Sequence, residues 1–184
     1  MSPRRAIFLD RDGVINRAMI RDGRPYPPDR LDQLEVLPGV PEALARLVAA
    51  GFALVVVTNQ PDVARGSQRR ETVEAMHDQL AALLPVEEFR VCWHDDADEC
   101  ACRKPKPGLL VQPPYYDLRQ SFLVGDRWRD IDAGRRAGCR ASILIEYGYD
   151  EGLSMEPDIR LRSLLEAAEW ILSRPDADSD GVTA

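Results

Sequence analysis

Two carboxylates one residue apart, Asp10 and Asp12, follow the apolar run Ala6-Ile7-Phe8-Leu9 and precede Gly13. Carboxylates at the end of a buried strand are strongly disfavoured unless something compensates them, and a divalent cation is a common compensation. Read as chemistry, this spacing sets a nucleophile beside a proton carrier: Asp10 attacks, Asp12 handles protons, and a cation neutralises both them and an anionic substrate. Read as structure, the same residues make a strand followed by an acidic Asx turn. So short a motif leaves both readings open.

Other polar groups fall at similar places. Phe52–Val57 is a continuous apolar run that ends in Thr58-Asn59-Gln60, and Phe122-Leu123-Val124-Gly125 ends in Asp126. Of the 24 basic residues, the only lysines are Lys104 and Lys106, both in Arg103-Lys104-Pro105-Lys106-Pro107. A Lys ammonium is a compact point charge that Arg replaces poorly at a crowded phosphate site. A functional role for at least one of the two is expected over chance clustering on a loop. Just upstream, Cys92, His94, Cys100 and Cys102 have the spacing C-x-H-x5-C-x-C. Three cysteines and one histidine match a closed tetrahedral zinc site, with no coordination position left for substrate. Free thiols or a disulfide are the alternatives, the latter disfavoured in a cytosolic chain. Cys139, after Gly138 and before an apolar run, reads as an inert core thiol.

The elements that must position these groups follow from periodicity. Strands are expected near Arg5–Asp10, Phe52–Val57, Phe89–Trp93, Ser121–Asp126 and Ala141–Ile145. Helices are expected over Glu42–Gly51, Gln68–Leu84, Asp130–Ala137 and Leu161–Leu172. Pro113-Pro114 interrupts a further one begun at Pro107. Asn16 to about Pro38 reads as a long loop carrying Arg17, Arg21, Arg24 and Arg30, and long loops in compact domains are usually functional or disordered. Strands alternating with helices imply an α/β, doubly wound parallel sheet of Rossmann-like type, which binds ligands outside the carboxyl ends of its strands. Asp10, Asp12, Thr58 and Asp126 all fall there. One domain is expected over residues 1–175, with 176–184 a disordered polar tail.

Composition narrows the partners. With 184 residues, 45% of them hydrophobic and 30% charged, the chain suits one soluble domain. A formal charge of -7 opposes binding to nucleic acid or anionic lipid. No apolar run approaches a membrane span, and the N-terminus lacks a signal-peptide pattern, so a cytoplasmic protein is expected.

In combination, Phe8-Leu9-Asp10-Arg11-Asp12-Gly13-Val14, Thr58-Asn59-Gln60, Arg103-Lys104-Pro105 and Val124-Gly125-Asp126 with Asp130 resemble the four motifs of the haloacid dehalogenase superfamily phosphatases, over about residues 5–173. The C-x-H…C-x-C loop resembles the small, capless, zinc-loop branch, whose members act on heptose bisphosphates and histidinol phosphate. The resemblance implies that Asp10 forms an aspartyl-phosphate and that Asp12 protonates the leaving alkoxide and then activates water. It places Mg²⁺ between Asp10, the backbone carbonyl of Asp12 and Asp126. Thr58 then bonds a phosphoryl oxygen, Lys104 offsets charge there, and Asp130 orients Lys104 or a metal-bound water. Asp130 also reads as the N-cap of a helix at Ile131. Asn59, Gln60, Arg65 and Arg103 are the implied substrate-binding residues, and zinc is structural, holding the loop that carries Lys104. The implied enzyme is a monomeric, Mg²⁺-dependent phosphatase for a small phosphorylated metabolite. A heptose bisphosphate is expected ahead of histidinol phosphate or another sugar phosphate. Pro61-Asp62 and Pro113-Pro114 depart from the family pattern. A phosphotransferase, or an inactive binding protein, is the competing class.

Overall fold

The apolar runs form the middle of a six-stranded sheet. The computed structural model describes residues 3–149 and 151–174. After β1 (Ala6–Leu9) come an antiparallel hairpin of β2 (Met19–Arg21) and β3 (Arg24–Tyr26), then α1 (Val40–Ala49) and β4 (Ala53–Asn59). Next are α2 (Pro61–Ala64), α3 (Arg70–Leu83), β5 (Glu88–Cys92), α4 (Gly108–Val111) and β6 (Phe122–Gly125). The chain ends in α5 (Trp128–Ala137), β7 (Ala141–Ile145), β8 (Ile159–Leu161) and α6 (Leu164–Leu172). Strand order is β5-β4-β1-β6-β7-β8 and every pairing is parallel.

Side chains alternate across a strand, so a strand buried on both faces must be apolar at every position. β1 shows the consequence. Ile7 and Leu9 join Leu54, Val56, Val124 and Ile143 in a core closed by Leu44 and Leu47 of α1 and by Ala168 and Ile171 of α6. Ala6 and Phe8 face the other way, with Val55, Val57 and Leu123, under Leu109, Leu110 and Ala133 of α4 and α5. Each fully buried Leu, Ile or Phe contributes about 1.5–3 kcal/mol, so the two layers supply most of the driving force. The chain runs outward from β1 through β4 to β5, then crosses back to β6 on the other side of β1. Strand order reverses at β1, and such a switch point opens a crevice at the carboxyl ends.

The sheet has a sixth strand that the sequence does not announce: β8 is three residues long, Ile-Arg-Leu, and α6 starts only at Leu164, with Ser163 as its N-cap. The expected long loop after Asn16 contains the β2–β3 hairpin. Asp22 and Gly23 form its turn at φ 50° and 72°, the left-handed pair that a two-residue turn demands. The short α2 was not expected. The Pro107 helix stops after α4, in keeping with its prolines. α5 begins at Trp128, so Asp130 lies in its first turn instead of at the N-cap, and its Oδ2 accepts from Arg127 N at 3.1 Å. Residues 176–184 lie outside the described residues. Among the described residues, no helix is long and apolar enough to cross a membrane.

α5 lies close on β6 and β7 because Gly134 has no side chain: a Cβ there would stand 2.3 Å from Ser142 Oγ and 3.1 Å from Leu123 Cβ. Gly134→Ala is therefore expected to destabilise the fold by about 1–3 kcal/mol, the usual range for overpacking. A urea titration should show a lower midpoint with an unchanged slope. Gly152→Ala, where nothing lies within 4 Å of the added Cβ, is the control and should stay within about 0.5 kcal/mol.

Candidate active site

Asp10 leaves β1 with its N–H bonded to Val124 O at 2.9 Å, which holds it between β1 and β6. Lys104 arrives from the loop after β5 and is 2% exposed. An ammonium that deeply buried needs partners for all three of its protons. It donates to Asp10 Oδ1 at 2.9 Å, to Asp130 Oδ1 at 2.5 Å and to Val57 O at 2.7 Å. Burial lowers the Lys104 pKa, but the two carboxylates more than offset it, and the net shift is upward. Asn59, at the end of β4, holds the lysine's backbone: its Nδ2 donates to Lys104 O at 3.0 Å and its Oδ1 accepts from Lys104 N at 3.1 Å.

Asp126 follows β6 and is 5% exposed, yet among the described residues neither of its carboxylate oxygens has a hydrogen-bond partner. Burial, then Asp10, then Asp130 push its pKa well above the carboxylate range. Asp10 is pushed up to about 6 by burial and Asp130, against the opposing pull of Lys104. Oxygens of Asp10, Asp126 and Asp130 lie within 4.8 Å of one another. Three buried carboxylates beside one ammonium that bonds only Asp10 and Asp130, with both Asp126 oxygens unpaired among the described residues, fit a hard divalent cation. Two glycines let the carboxylates approach. A Cβ on Gly13, at φ 91°, would stand 2.1 Å from Asp126 Oδ2, and one on Gly125 would stand 2.1 Å from Asp130 Cβ.

Asp12 is held from three sides. Asn16 Nδ2 donates to its Oδ1 at 2.9 Å, and Gln60 Nε2 to its Oδ2 at 3.0 Å. Arg11, wholly buried, reaches both oxygens through Nε and Nη2 at 2.9–3.2 Å. Gln60 Nε2 also donates to Thr58 Oγ1 at 2.9 Å, so it links Thr58 to Asp12 beneath the cleft and does not line it. The remaining guanidinium nitrogen of Arg11 faces His77 Nε2 at 2.9 Å. Arginine can only donate, so His77 accepts as the neutral imidazole. Burial and the Arg11 charge push the His77 pKa down to about 3.

Cys92, His94, Cys100 and Cys102 converge at the end of β5. Their sulfurs are 3.3–3.6 Å apart, and His94 Nδ1 is 3.3 Å from Cys102 Sγ and 3.7 Å from Cys92 Sγ. Sulfurs of a tetrahedral zinc site with Zn–S of about 2.3 Å stand ~3.7 Å apart, while a disulfide needs about 2.05 Å. The donor set fits a closed structural zinc site. Lys106 anchors the same loop, donating to Glu99 O and Cys100 O, each at 2.8 Å. Of the two lysines, one is thus in the cleft and the other staples the loop. Cys139 lies outside the cluster, and burial pushes its thiol up to about 12.

A cleft of about 250 Å³ opens at the carboxyl edge of the sheet. The cleft brings together Asp10, Asp12, Thr58, Asn59, Lys104, Asp126 and Asp130 with a rim that includes Arg24, Arg65, Arg103, Arg127 and Arg129. Arg65 pairs with Asp95, Arg103 with Asp96 at 2.8 Å, and Arg127 with Glu151. Of the arginines on the loop after Asn16, only Arg24 reaches the cleft; Arg17, Arg21 and Arg30 pair with Glu35, Asp29 and Asp32. Sequence reasoning passed over Arg11, Asn16, His77, Asp96 and Arg129. Arg11 was legible only as a charge placed between two site carboxylates. His77 lies on α3, remote in sequence, and carried no signal.

Comparison with known proteins agrees with this geometry. The profile of the HAD-hydrolase-like family matches residues 101–167. The D-glycero-D-manno-heptose-1,7-bisphosphate 7-phosphatase of Thermosynechococcus vestitus is 33% identical over 92% of this chain and 96% of its own. The D-glycero-beta-D-manno-heptose-1,7-bisphosphate 7-phosphatase of Pseudomonas aeruginosa is 39% identical over 79% of this chain and 83% of its own. In structure, the D,D-heptose 1,7-bisphosphate phosphatase of Bordetella bronchiseptica, crystallised with magnesium and phosphate, superposes with a TM-score of 0.76 at 35% identity, covering 91% of this chain and 98% of that one. At 33–39% identity over 79–92% of its length to these phosphatases, the chain belongs to the haloacid dehalogenase-like hydrolases, in the branch of the heptose bisphosphate phosphatases.

Proposed function

We propose that this protein is a Mg²⁺-dependent phosphatase that hydrolyses a sugar bisphosphate, a heptose 1,7-bisphosphate first among them, through an aspartyl-phosphate on Asp10. The observation that carries the reading is the buried cluster of Asp10, Asp126 and Asp130 around Lys104, with both Asp126 oxygens unpaired. Asp10, Asp126 and the backbone carbonyl of Asp12 would hold the cation, which supplies charge neutralisation between carboxylate and phosphate.

The chain's own groups then do the following. Asp10 Oδ attacks phosphorus as the bond to the sugar oxygen breaks. The proton on Asp12 goes to the leaving alkoxide, and Asp12 later takes one from the water that cleaves the acyl phosphate. Arg11, Asn16 and Gln60 hold the Asp12 carboxylate beside Thr58 for both transfers. Thr58 Oγ1 and the Lys104 ammonium face the phosphoryl oxygens, where charge accumulates. Asp130 and Val57 O keep Lys104 in place. Asn59 acts chiefly on the Lys104 backbone, and Arg65 and Arg103 bind the far end of the substrate. Arg24 joins them: it lines the cleft and its guanidinium has no carboxylate partner among the described residues. The reading includes a cytoplasmic protein of one domain over residues 1–175, as the composition leads one to expect, and a monomer, as the family resemblance implies.

Asp10→Asn is expected to abolish phosphate release while near-ultraviolet circular dichroism keeps its native form, because an amide does not attack phosphorus. Turnover of the purified variant close to that of the unaltered enzyme would rule out the covalent route. For substrate, kcat/KM should be higher for the heptose bisphosphate than for histidinol phosphate at matched Mg²⁺; the reverse ranking would assign the cleft to the amino alcohol phosphate.

The zinc cluster leads to a third test. Cys102 is two residues from Lys104, so Cys102→Ser should act mostly through the contact that Lys104→Ala removes, and groups acting as a unit are strongly non-additive. The double variant should turn over little more slowly than Lys104→Ala alone. Fully multiplicative losses, or no bound zinc in protein purified without added metal, would separate the cluster from the lysine.

A further inference from the structure

The Arg103 side chain is only 10% exposed, and its one carboxylate partner among the described residues is Asp96, which lies in a surface turn with a side chain 53% exposed. Asp96 Oδ1 accepts from Arg103 Nε at 2.8 Å, and Oδ2 from its Nη2 at 3.2 Å. The same carboxylate accepts from Arg129 Nη1 at 3.1 Å, and Arg65 Nη2 stands 3.9 Å from it. Three guanidiniums that enter from α5, from the loop after α2 and from the zinc loop therefore meet on one carboxylate at the cleft rim. Each of the three also lines the cleft, as does Asp96.

A forked guanidinium binds a carboxylate and a phosphate with the same two parallel N–H groups. A dianion with more acceptor oxygens than a carboxylate has more to offer several arginines at once. We propose that Asp96 is a resident counter-anion in the subsite for the substrate's second phosphate, held there until that phosphate displaces it, and so sets how strongly the enzyme prefers bisphosphates over monophosphates. The inference rests on the phosphatase reading and names its distal subsite: Arg103, Arg129 and Arg65, with Asp96 as the internal competitor. Asp96 is free to leave. Its turn is exposed, its neighbour Asp95 accepts from both Nε and Nη2 of Arg65, and the zinc ligands beside it hold the backbone while the side chain swings. Arg103 is not free to leave, and a nearly buried guanidinium without a counter-anion strongly favours an incoming one.

The test compares KM for heptose 1,7-bisphosphate with KM for heptose 7-phosphate. Asp96→Asn removes the competing charge and keeps the size, so the ratio of bisphosphate to monophosphate KM should fall roughly two- to fivefold, the size of one largely exposed ion pair. A ratio that stays put, or rises, would overturn the proposal and leave Asp96 as a strut for the arginines. Arg129→Gln gives an independent reading, because Arg129 lies on α5 and not in the zinc loop: the KM ratio should rise, and in the Asp96→Asn background it should undo the gain. An unchanged ratio in Arg129→Gln would equally overturn the proposal. Bound zinc and the thermal midpoint of each variant check that the loop is intact. Absence of phosphate release from both sugars by the unaltered protein would overturn the phosphatase reading itself, and this inference with it, and is distinguishable from a normal enzyme whose ratio does not move.

Discussion

A single ammonium, that of Lys104, is the constraint on which the cleft depends. It lies out of water, and every proton it carries is used: one on Asp10, one on Asp130, one on the carbonyl of Val57. Those acceptors come from β1, α5 and β4, so the lysine can be satisfied only when three separately folded segments have met at the carboxyl edge of the sheet. Leaving such a charge without a partner would destabilise the fold by several kcal/mol. The same contacts that make the burial tolerable also aim the ammonium at the place where a phosphoryl group would meet Asp10.

A lysine on a loop is not rigid by itself, and the chain invests heavily in fixing this one. Asn59 grips its backbone on both sides, and Lys106 ties down the preceding residues. Cys92, His94, Cys100 and Cys102 fit a zinc ion that closes the same loop. Gly108 completes the arrangement, because a Cβ there would stand 2.3 Å from Ala101 O. A polar loop of this length has too few apolar side chains to build a core, and metal ligation substitutes for one.

Charge is arranged in two zones. In the floor, Asp10, Asp126 and Asp130 outnumber Lys104, which favours a divalent cation. At the rim, arginines predominate but most are tethered to acids, in a chain whose overall formal charge is -7. The tethering keeps guanidiniums extended and pre-positioned, at the expense of a carboxylate that an anionic substrate must replace.

The residue pattern alone announces five of the sheet's six strands and the chemistry at their carboxyl ends. Continuous apolar runs such as Phe52–Val57 can only be satisfied with both faces covered, and a polar residue ending each run marks the carboxyl edge. The short C-x-H and C-x-C spacings, eight residues apart from Cys92 to Cys100, keep the zinc ligands legible as a cluster. Local signals of this kind survive without a structure because their partners are close in the chain or repeat with a fixed period. β8 did not survive, since three residues carry no period, and the Asp22-Gly23 hairpin was submerged in a stretch read for its arginines. Which charges meet follows from how the elements pack. That Gln60 lies beneath the cleft on Asp12, that Arg11 reaches a neutral His77, that Arg24 alone among the arginines of its loop reaches the cleft, and that Arg65 and Arg129 approach Asp96 are facts about side chains far apart in sequence. Ionic partners over such distances are chosen by the packing of the helices that carry them, and no one-dimensional pattern encodes that choice.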